Sequence, residues 1–82
     1  MEDIIRDVRQ LGHAVRRQRE SAGLTQGDLA RKAGLRQPTV SDIEGGVAGP
    51  RFDTVAALLA ALDLELVLRP RTRTEGDLSA IF

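Results

Sequence analysis

The sequence predicts an all-α domain of four to five helices that is followed by one C-terminal β-strand. Apolar residues recur every three or four positions over most of residues 1–62, which is the period of amphipathic helices. Gly23 and Gly34 interrupt this pattern where helices are expected to end. The spacing then shortens towards two over residues 64–70. Since 82 residues support only a small core, we expect the protein to form an oligomer.

The first helix is predicted to begin at Asp3 or Val8 and to end near Ser21. Its inward-facing stripe is expected to consist of Ile4, Val8, Leu11 and Val15. One turn further along the stripe stands Arg19, and an unpaired buried arginine would cost several kcal/mol, about 3–5. Glu44, which follows the core residue Ile43, is the expected ionic partner. We interpret this pair as structural.

Residues 25–44 predict two helices joined by a sharp glycine turn. Ala30 is small where the two backbones should approach, Gly34 suits the corner, and Val40 and Ile43 should hold the second of these helices to the core. The other positions expected to face inward are Leu29, Ala33 and Leu35.

The start of the second helix is expected to form an anion site. Thr25 is the predicted N-cap, and Asp28 completes a capping box with it. Gln26 stands in the first turn, where main-chain N–H groups are free and the helix dipole is positive.

The third helix is predicted over residues 37–44, with polar residues on its outer face. Two helices joined by such a turn are the arrangement of a DNA-binding helix-turn-helix, in which the second helix, the recognition helix, enters the major groove with its N-terminal residues leading. Glutamine pairs with adenine, arginine with guanine or a phosphate, serine with several base edges, and proline contacts the thymine methyl group. The predicted base contacts are therefore Arg36, Gln37, Pro38 and Ser41. Thr39 is predicted to contact the DNA backbone, whereas Asp42 is interpreted as solvated.

The fourth helix is expected over residues 52–62, after a glycine-rich loop, with Phe52 anchoring its start. Its inward-facing residues should be Val55, Leu58, Leu59 and Leu62. The strand over residues 64–70 would use Leu64, Leu66, Val67 and Leu68. A lone strand in a helical domain leaves its main chain unpaired, so the simplest partner is the same strand of a second copy. A short fifth helix is the alternative for this segment.

The C-terminal tail, residues 71–82, is predicted to be flexible. Its last apolar residues, Leu78, Ile81 and Phe82, would dock on a partner, act as a degradation handle or belong to a frayed end. The predicted organisation is thus an N-terminal extension of the first helix (1–10), a DNA-binding domain (11–63), a dimerisation strand (64–70) and this tail.

The composition argues against several classes of function. The chain has no cysteine and one histidine, so we expect no disulfide, metal site or cofactor. Nothing in the sequence can be assigned as a nucleophile or general base, so we expect no enzyme activity. No apolar run is long enough to cross a membrane, and the first ten residues are too charged for a signal peptide. The sequence therefore favours a cytoplasmic, nucleoid-associated protein without membrane contact. The net charge is zero, but residues 1–36 carry eight basic and five acidic side chains.

Residues 25–44 resemble the helix-turn-helix of the Cro and lambdoid phage repressors (XRE type), and residues 11–69 resemble the HipB antitoxins. HipB antitoxins are small repressors encoded beside a HipA-type kinase toxin. The resemblance implies a lambda-repressor-like fold, and a homodimer that binds double-stranded DNA at a palindromic operator, represses its own operon and holds the toxin. It also implies an Arg19–Glu44 ion pair and DNA backbone contacts at Gln26 and Arg51. A stand-alone XRE-type regulator and a protein-binding module without DNA affinity are the alternatives.

Overall fold

The computed structural model describes residues 2–47 and 49–72, which form a bundle of four α-helices. The helices are α1 (Val8–Ser21), α2 (Gln26–Ala33), α3 (Gln37–Glu44) and α4 (Phe52–Ala61). α1 packs against α3, and α2 packs against both α3 and α4. Among the described residues, no helix is long and apolar enough to cross a membrane. The prediction of an all-helical domain of four to five helices is confirmed, with four helices among the described residues.

The core has one fully buried side chain from each helix at its centre. These four side chains are Val15, Leu29, Val40 and Leu58. Complete burial of an aliphatic side chain of this size contributes about 1.5–3 kcal/mol to folding. The buried residues around them include Leu11, Ala30, Ile43, Val55, Leu59 and Ala61. Ala33, Leu35 and Leu62, which were also predicted to face inward, are partly buried against this cluster.

α2 has the predicted cap at its start and the predicted glycine corner at its end. The Thr25 hydroxyl accepts a hydrogen bond from the Asp28 N–H at 3.0 Å, and the Asp28 carboxylate accepts one from the Thr25 N–H at 2.9 Å. The hydrogen bond from the Thr25 main-chain N–H to the carboxylate is the largest cause that lowers the pKa of Asp28, and the Thr25 side chain lowers it further. Gly34 ends α2 with a left-handed φ of 71°. This conformation lets the chain reverse into α3 without the steric cost of a Cβ atom.

The N-terminal segment is not helical before Val8. The Asp7 side chain accepts a hydrogen bond from the Gln10 N–H at 2.8 Å and so caps α1 at this point. The prediction that Ile4 continues the buried stripe is therefore wrong, and this side chain is exposed. Asp3 forms an ion pair with Arg17 at 2.6 Å, which holds residues 2–6 beside α1.

The segment after α4 has no regular secondary structure within residues 64–72, so neither the predicted strand nor a fifth helix is present there. Leu64 packs against the core, whereas Leu66, Val67 and Leu68 are 54%, 67% and 102% exposed. A strand exists only when its main-chain groups pair with a neighbour, and this segment of the single chain meets no such neighbour. Arg69 instead forms an ion pair with Glu2 at 3.0 Å.

Phe52 does not anchor α4, contrary to the prediction. Its side chain is 73% exposed, because the inward face of α4 is occupied by aliphatic residues such as Leu58. Together with Ala56, Ala60 and Leu66, Phe52 lines an apolar trough of about 210 Å³ on the surface. The predictions for Leu78, Ile81 and Phe82 concern residues that lie outside the described part of the chain.

Candidate nucleic-acid interface

A buried ion pair connects α1 to the end of α3. Arg19 donates two hydrogen bonds to the Glu44 carboxylate, from Nε at 2.6 Å and from Nη2 at 2.9 Å, and a third to the Leu24 carbonyl oxygen at 2.8 Å. Burial raises the pKa of Glu44, but the hydrogen bonds from Arg19 and Gln26 outweigh this effect and the pKa is lowered overall. The hydrogen bonds that Arg19 itself donates to Glu44 raise the pKa of Arg19. Both groups are therefore charged at neutral pH.

Gln26 links this ion pair to the start of α3. Its amide nitrogen Nε2 donates to Glu44 Oε1 at 3.1 Å, and its oxygen Oε1 accepts a longer hydrogen bond from Gln37 Nε2 at 3.4 Å. An ionised carboxylate can only accept hydrogen bonds, so Glu44 fixes the orientation of the Gln26 amide. The Gln26 oxygen must then face Gln37. Sequence reasoning missed this link, since it joins residues 18 positions apart and no local spacing indicates it.

The orientation of Gln26 leaves a defined set of polar atoms on Gln37. One N–H of the Gln37 amide is directed to Gln26, so its second N–H and its carbonyl oxygen remain available to solvent. One donor beside one acceptor is the complement of the N7 and N6 edge of adenine in the major groove. The geometry thus suits the predicted base at this position.

The other predicted base contacts share the exposed N-terminal part of α3. Val40, Ile43 and Glu44 are buried, so the opposite face of α3 is directed to solvent. Arg36 is the N-cap of α3, and its side chain makes no cap hydrogen bond. The exposed residues at this end are Arg36, Gln37, Pro38 and Ser41, with Thr39 half-buried beside them.

Arg51 lies apart from these residues, at the N-cap of α4. Its guanidinium donates to both carboxylate oxygens of Asp53, from Nε at 3.2 Å and from Nη2 at 3.0 Å. Both side chains are exposed, so solvent screens the pair and its contribution to stability is small. Within the described residues, no cluster of His, Cys, Asp or Glu is arranged to hold a metal ion.

A capped α2, a left-handed glycine corner and an α3 with a polar outward face together define a helix-turn-helix domain. Residues 10–72 match the family model described as a helix-turn-helix domain. The chain belongs to this family.

Two curated relatives narrow the assignment. The antitoxin HipB of Escherichia coli K12 is 34% identical over 59 residues, which are 72% of this chain and 67% of the relative. An uncharacterized HTH-type transcriptional regulator of Sinorhizobium fredii is 37% identical over 57 residues, which are 70% of this chain. This match spans only 29% of the Sinorhizobium protein.

Solved structures with the same fold include complexes of HipB. The HipB-O4 20mer complex superposes with a TM-score of 0.80 at 30% identity, over 87% of this chain and 100% of the compared chain. The HipA-HipB-O2-O3 complex gives a TM-score of 0.79 at 30% identity, with the same coverage of both chains. The chain is thus homologous to the HipB antitoxins.

Proposed function

We propose that this protein is a sequence-specific DNA-binding repressor that acts as the antitoxin of a HipA-type kinase toxin and represses its own operon. The observation that carries the DNA-binding part is the exposed N-terminal face of α3, where Gln26 orients the amide of Gln37. The similarity to HipB, and to HipB chains solved in complexes with O4 and with HipA, supports the assignment.

In the proposed complex, the N-terminal end of α3 enters the major groove. Gln37 pairs with adenine through its free N–H and its carbonyl oxygen, an interaction worth about 1–3 kcal/mol of discrimination against other bases. Arg36 pairs with guanine or a phosphate, Ser41 bonds a base edge, and Pro38 contacts a thymine methyl group.

Residues around the N-terminal end of α3 contact phosphates of the DNA backbone. Gln26 lies in the first turn of α2, so its main-chain N–H reaches a phosphate. The second N–H of its side-chain amide is a further donor, since only one is used by Glu44. Thr39 contacts the DNA backbone beside α3. Arg51 exchanges its ion pair with Asp53 for a phosphate when DNA approaches. These contacts position the protein without reading the sequence.

We propose that the functional unit is a homodimer in which residues 64–70 of two copies pair as strands. Leu66, Val67 and Leu68 are exposed in the single chain, and pairing would cover them and satisfy their main-chain groups. The apolar trough beside Phe52 adjoins this segment through Leu66. A two-fold dimer would place two α3 helices about one DNA turn apart, roughly 34 Å, and would therefore read a palindrome.

A protein-binding module without DNA affinity is the second candidate. The neutral net charge favours it, and so do the internal carboxylate partners of several arginines, since DNA-binding domains usually carry a basic excess. A stand-alone regulator of the same fold differs from the antitoxin only in lacking the toxin partner.

The deciding experiment is selection of bound duplexes from a random DNA pool, followed by titration of the selected duplex at several salt concentrations. The proposal predicts an enriched palindrome and an affinity that falls steeply with salt. A kinase gene beside a genomic copy of that palindrome, and co-purification of its product with this protein, would support the antitoxin role. Weak binding without enrichment at every salt concentration would instead support the protein-binding module.

A further inference from the structure

Most basic side chains in the described part of the chain already have an internal partner. Six of them form ion pairs with carboxylates, namely Arg16, Arg17, Arg19, Arg31, Arg51 and Arg69. Arg6 donates a hydrogen bond to the Thr72 carbonyl oxygen. Within residues 2–47 and 49–72, the basic side chains without an ion pair are Arg9, Lys32, Arg36 and Arg71. A cation without an internal partner is available for an external anion.

The aliphatic stem of Arg9 packs against the loop that follows the C-terminal end of α3. Arg9 lies in the first turn of α1 and packs against Gly46, two residues beyond the end of α3. A Cβ atom on Gly46 would lie 3.1 Å from Arg9 Cγ and 3.3 Å from Arg9 Cα. The stem of Arg9 therefore covers this glycine, while the residue as a whole remains exposed. The nearby Asp7 uses its carboxylate to cap α1.

Two of the three arginines without an ion pair in the described part of the chain, Arg9 and Arg36, bracket α3. Arg36 precedes its first residue, and Arg9 adjoins the loop after its last residue. Eight residues of α-helix span about 12 Å, which is close to the width of the major groove, about 12 Å. A helix that enters the groove at the Arg36 end thus has its other end near the phosphates that border the groove.

We infer that Arg9 binds a backbone phosphate of DNA at the C-terminal edge of the recognition helix. This inference rests on the proposed DNA-binding function and extends the interface from the helix-turn-helix to the first turn of α1. The Arg9–phosphate contact contributes affinity but does not discriminate between DNA sequences. The sequence carries one indication of this role: no acidic residue stands three or four positions from Arg9 on its helix.

The test compares Arg9→Ala with Lys32→Ala in the full chain. Both changes remove one exposed helical cation that has no ion pair within the described residues. Lys32, however, lies in the last turn of α2, at the opposite end of that helix from the phosphate contact proposed for Gln26. Each variant is titrated with the selected duplex and with an unrelated duplex over a series of salt concentrations. Thermal unfolding of both variants verifies that the fold is retained.

Arg9→Ala should weaken binding to both duplexes severalfold and reduce the slope of log affinity against log salt by about one. Arg9→Lys should keep most of the slope, and Lys32→Ala should match the parent. Equal effects of Arg9→Ala and Lys32→Ala would overturn the inference while leaving DNA binding intact. Failure of the parent protein to bind either duplex would overturn the proposed function and, with it, this contact.

Discussion

Gly12 in α1 lies directly against the carbonyl oxygen of Ile43 in α3, without space for a side chain between the two backbones. A methyl group at position 12 would also lie 2.8 Å from the carbonyl oxygen of Glu44. Backbone atoms cannot move aside as a flexible side chain can. This contact therefore fixes the distance between α1 and the helix proposed to read DNA.

Gly12→Ala should destabilise the protein by about 1–3 kcal/mol, the usual cost of overpacking a core. The intrinsic preference of alanine for helices, about 1 kcal/mol, offsets only part of this cost. The change in the free energy of unfolding can be measured by urea denaturation of the parent and the variant. A variant as stable as the parent would show that the two helices are not in close contact.

Gly27→Ala is the matched control, since it makes the same change in another helix. A Cβ atom there would meet only Arg31 and Thr25 side-chain atoms at 3.8 Å, which is ordinary van der Waals contact. This variant should be more stable than the parent by up to about 1 kcal/mol. Opposite signs for the two substitutions would separate packing from helix propensity.

Glu44→Gln should destabilise the protein at neutral pH by about 3 kcal/mol, because it leaves Arg19 partly buried without a counter-charge. The lowered pKa of Glu44 also predicts a pH dependence. In the parent, the contribution of this carboxylate is present above its ordinary pKa of 4.5 and is lost as the pH falls towards the lower folded pKa. The variant should lack this acid-sensitive component when unfolding free energies are measured between neutral and acidic pH.

Glu20→Gln provides the comparison for the buried pair. Glu20 pairs with Arg16 at 2.7 Å, but both side chains are more than half exposed. Removing this charge should change the unfolding free energy by less than about 1 kcal/mol. A similar loss in both variants would mean that burial does not distinguish the Arg19–Glu44 pair.

Local patterns were sufficient to predict the bounds of α2 and α3, because capping and helix periodicity depend on neighbouring residues. Thr25, Asp28 and Gly34 carry those signals, and the structure has the predicted cap and corner. The buried positions Val40 and Ile43 follow from the same spacing.

Apart from the Arg19–Glu44 ion pair, tertiary and intermolecular features could not be predicted in this way. Ile4 fits the helical period of α1, but the cap at Asp7 makes the helix begin at Val8, so Ile4 lies outside it. Phe52 is apolar and yet exposed, and it lines a surface trough instead of entering the core. The hydrogen bond between Gln26 and Glu44 depends on the crossing of two helices, and a strand over residues 64–70 would depend on a second molecule.

Gln37→Ala should reduce specific binding by about 1–3 kcal/mol and relax the preference at one base pair. Arg51→Ala should instead weaken binding to all duplexes and reduce the salt slope by about one. Titration of each variant with duplexes that differ at single positions distinguishes these effects. If the two variants behaved alike, the division into base reading and backbone contact would be incorrect.

Asp53→Asn should act in the opposite direction to Arg51→Ala. It removes the carboxylate that holds the Arg51 guanidinium at 3.0 Å, so Arg51 becomes free to bind a phosphate. We expect tighter binding to every duplex and no change in base preference. Weaker binding would indicate that Asp53 positions Arg51 for DNA rather than competing with it.

Leu68→Glu should convert the proposed homodimer to a monomer, because it places a charge in the strand that would pair across the two-fold axis. Leu68 is fully exposed in the single chain, so the substitution should leave the fold of the monomer and its circular dichroism unchanged. Sedimentation equilibrium of Leu68→Glu and of the conservative variant Leu68→Val measures the effect. Leu68→Val should remain a dimer, since valine also favours strands, and a Leu68→Glu protein that still sedimented as a dimer would rule out pairing through residues 64–70.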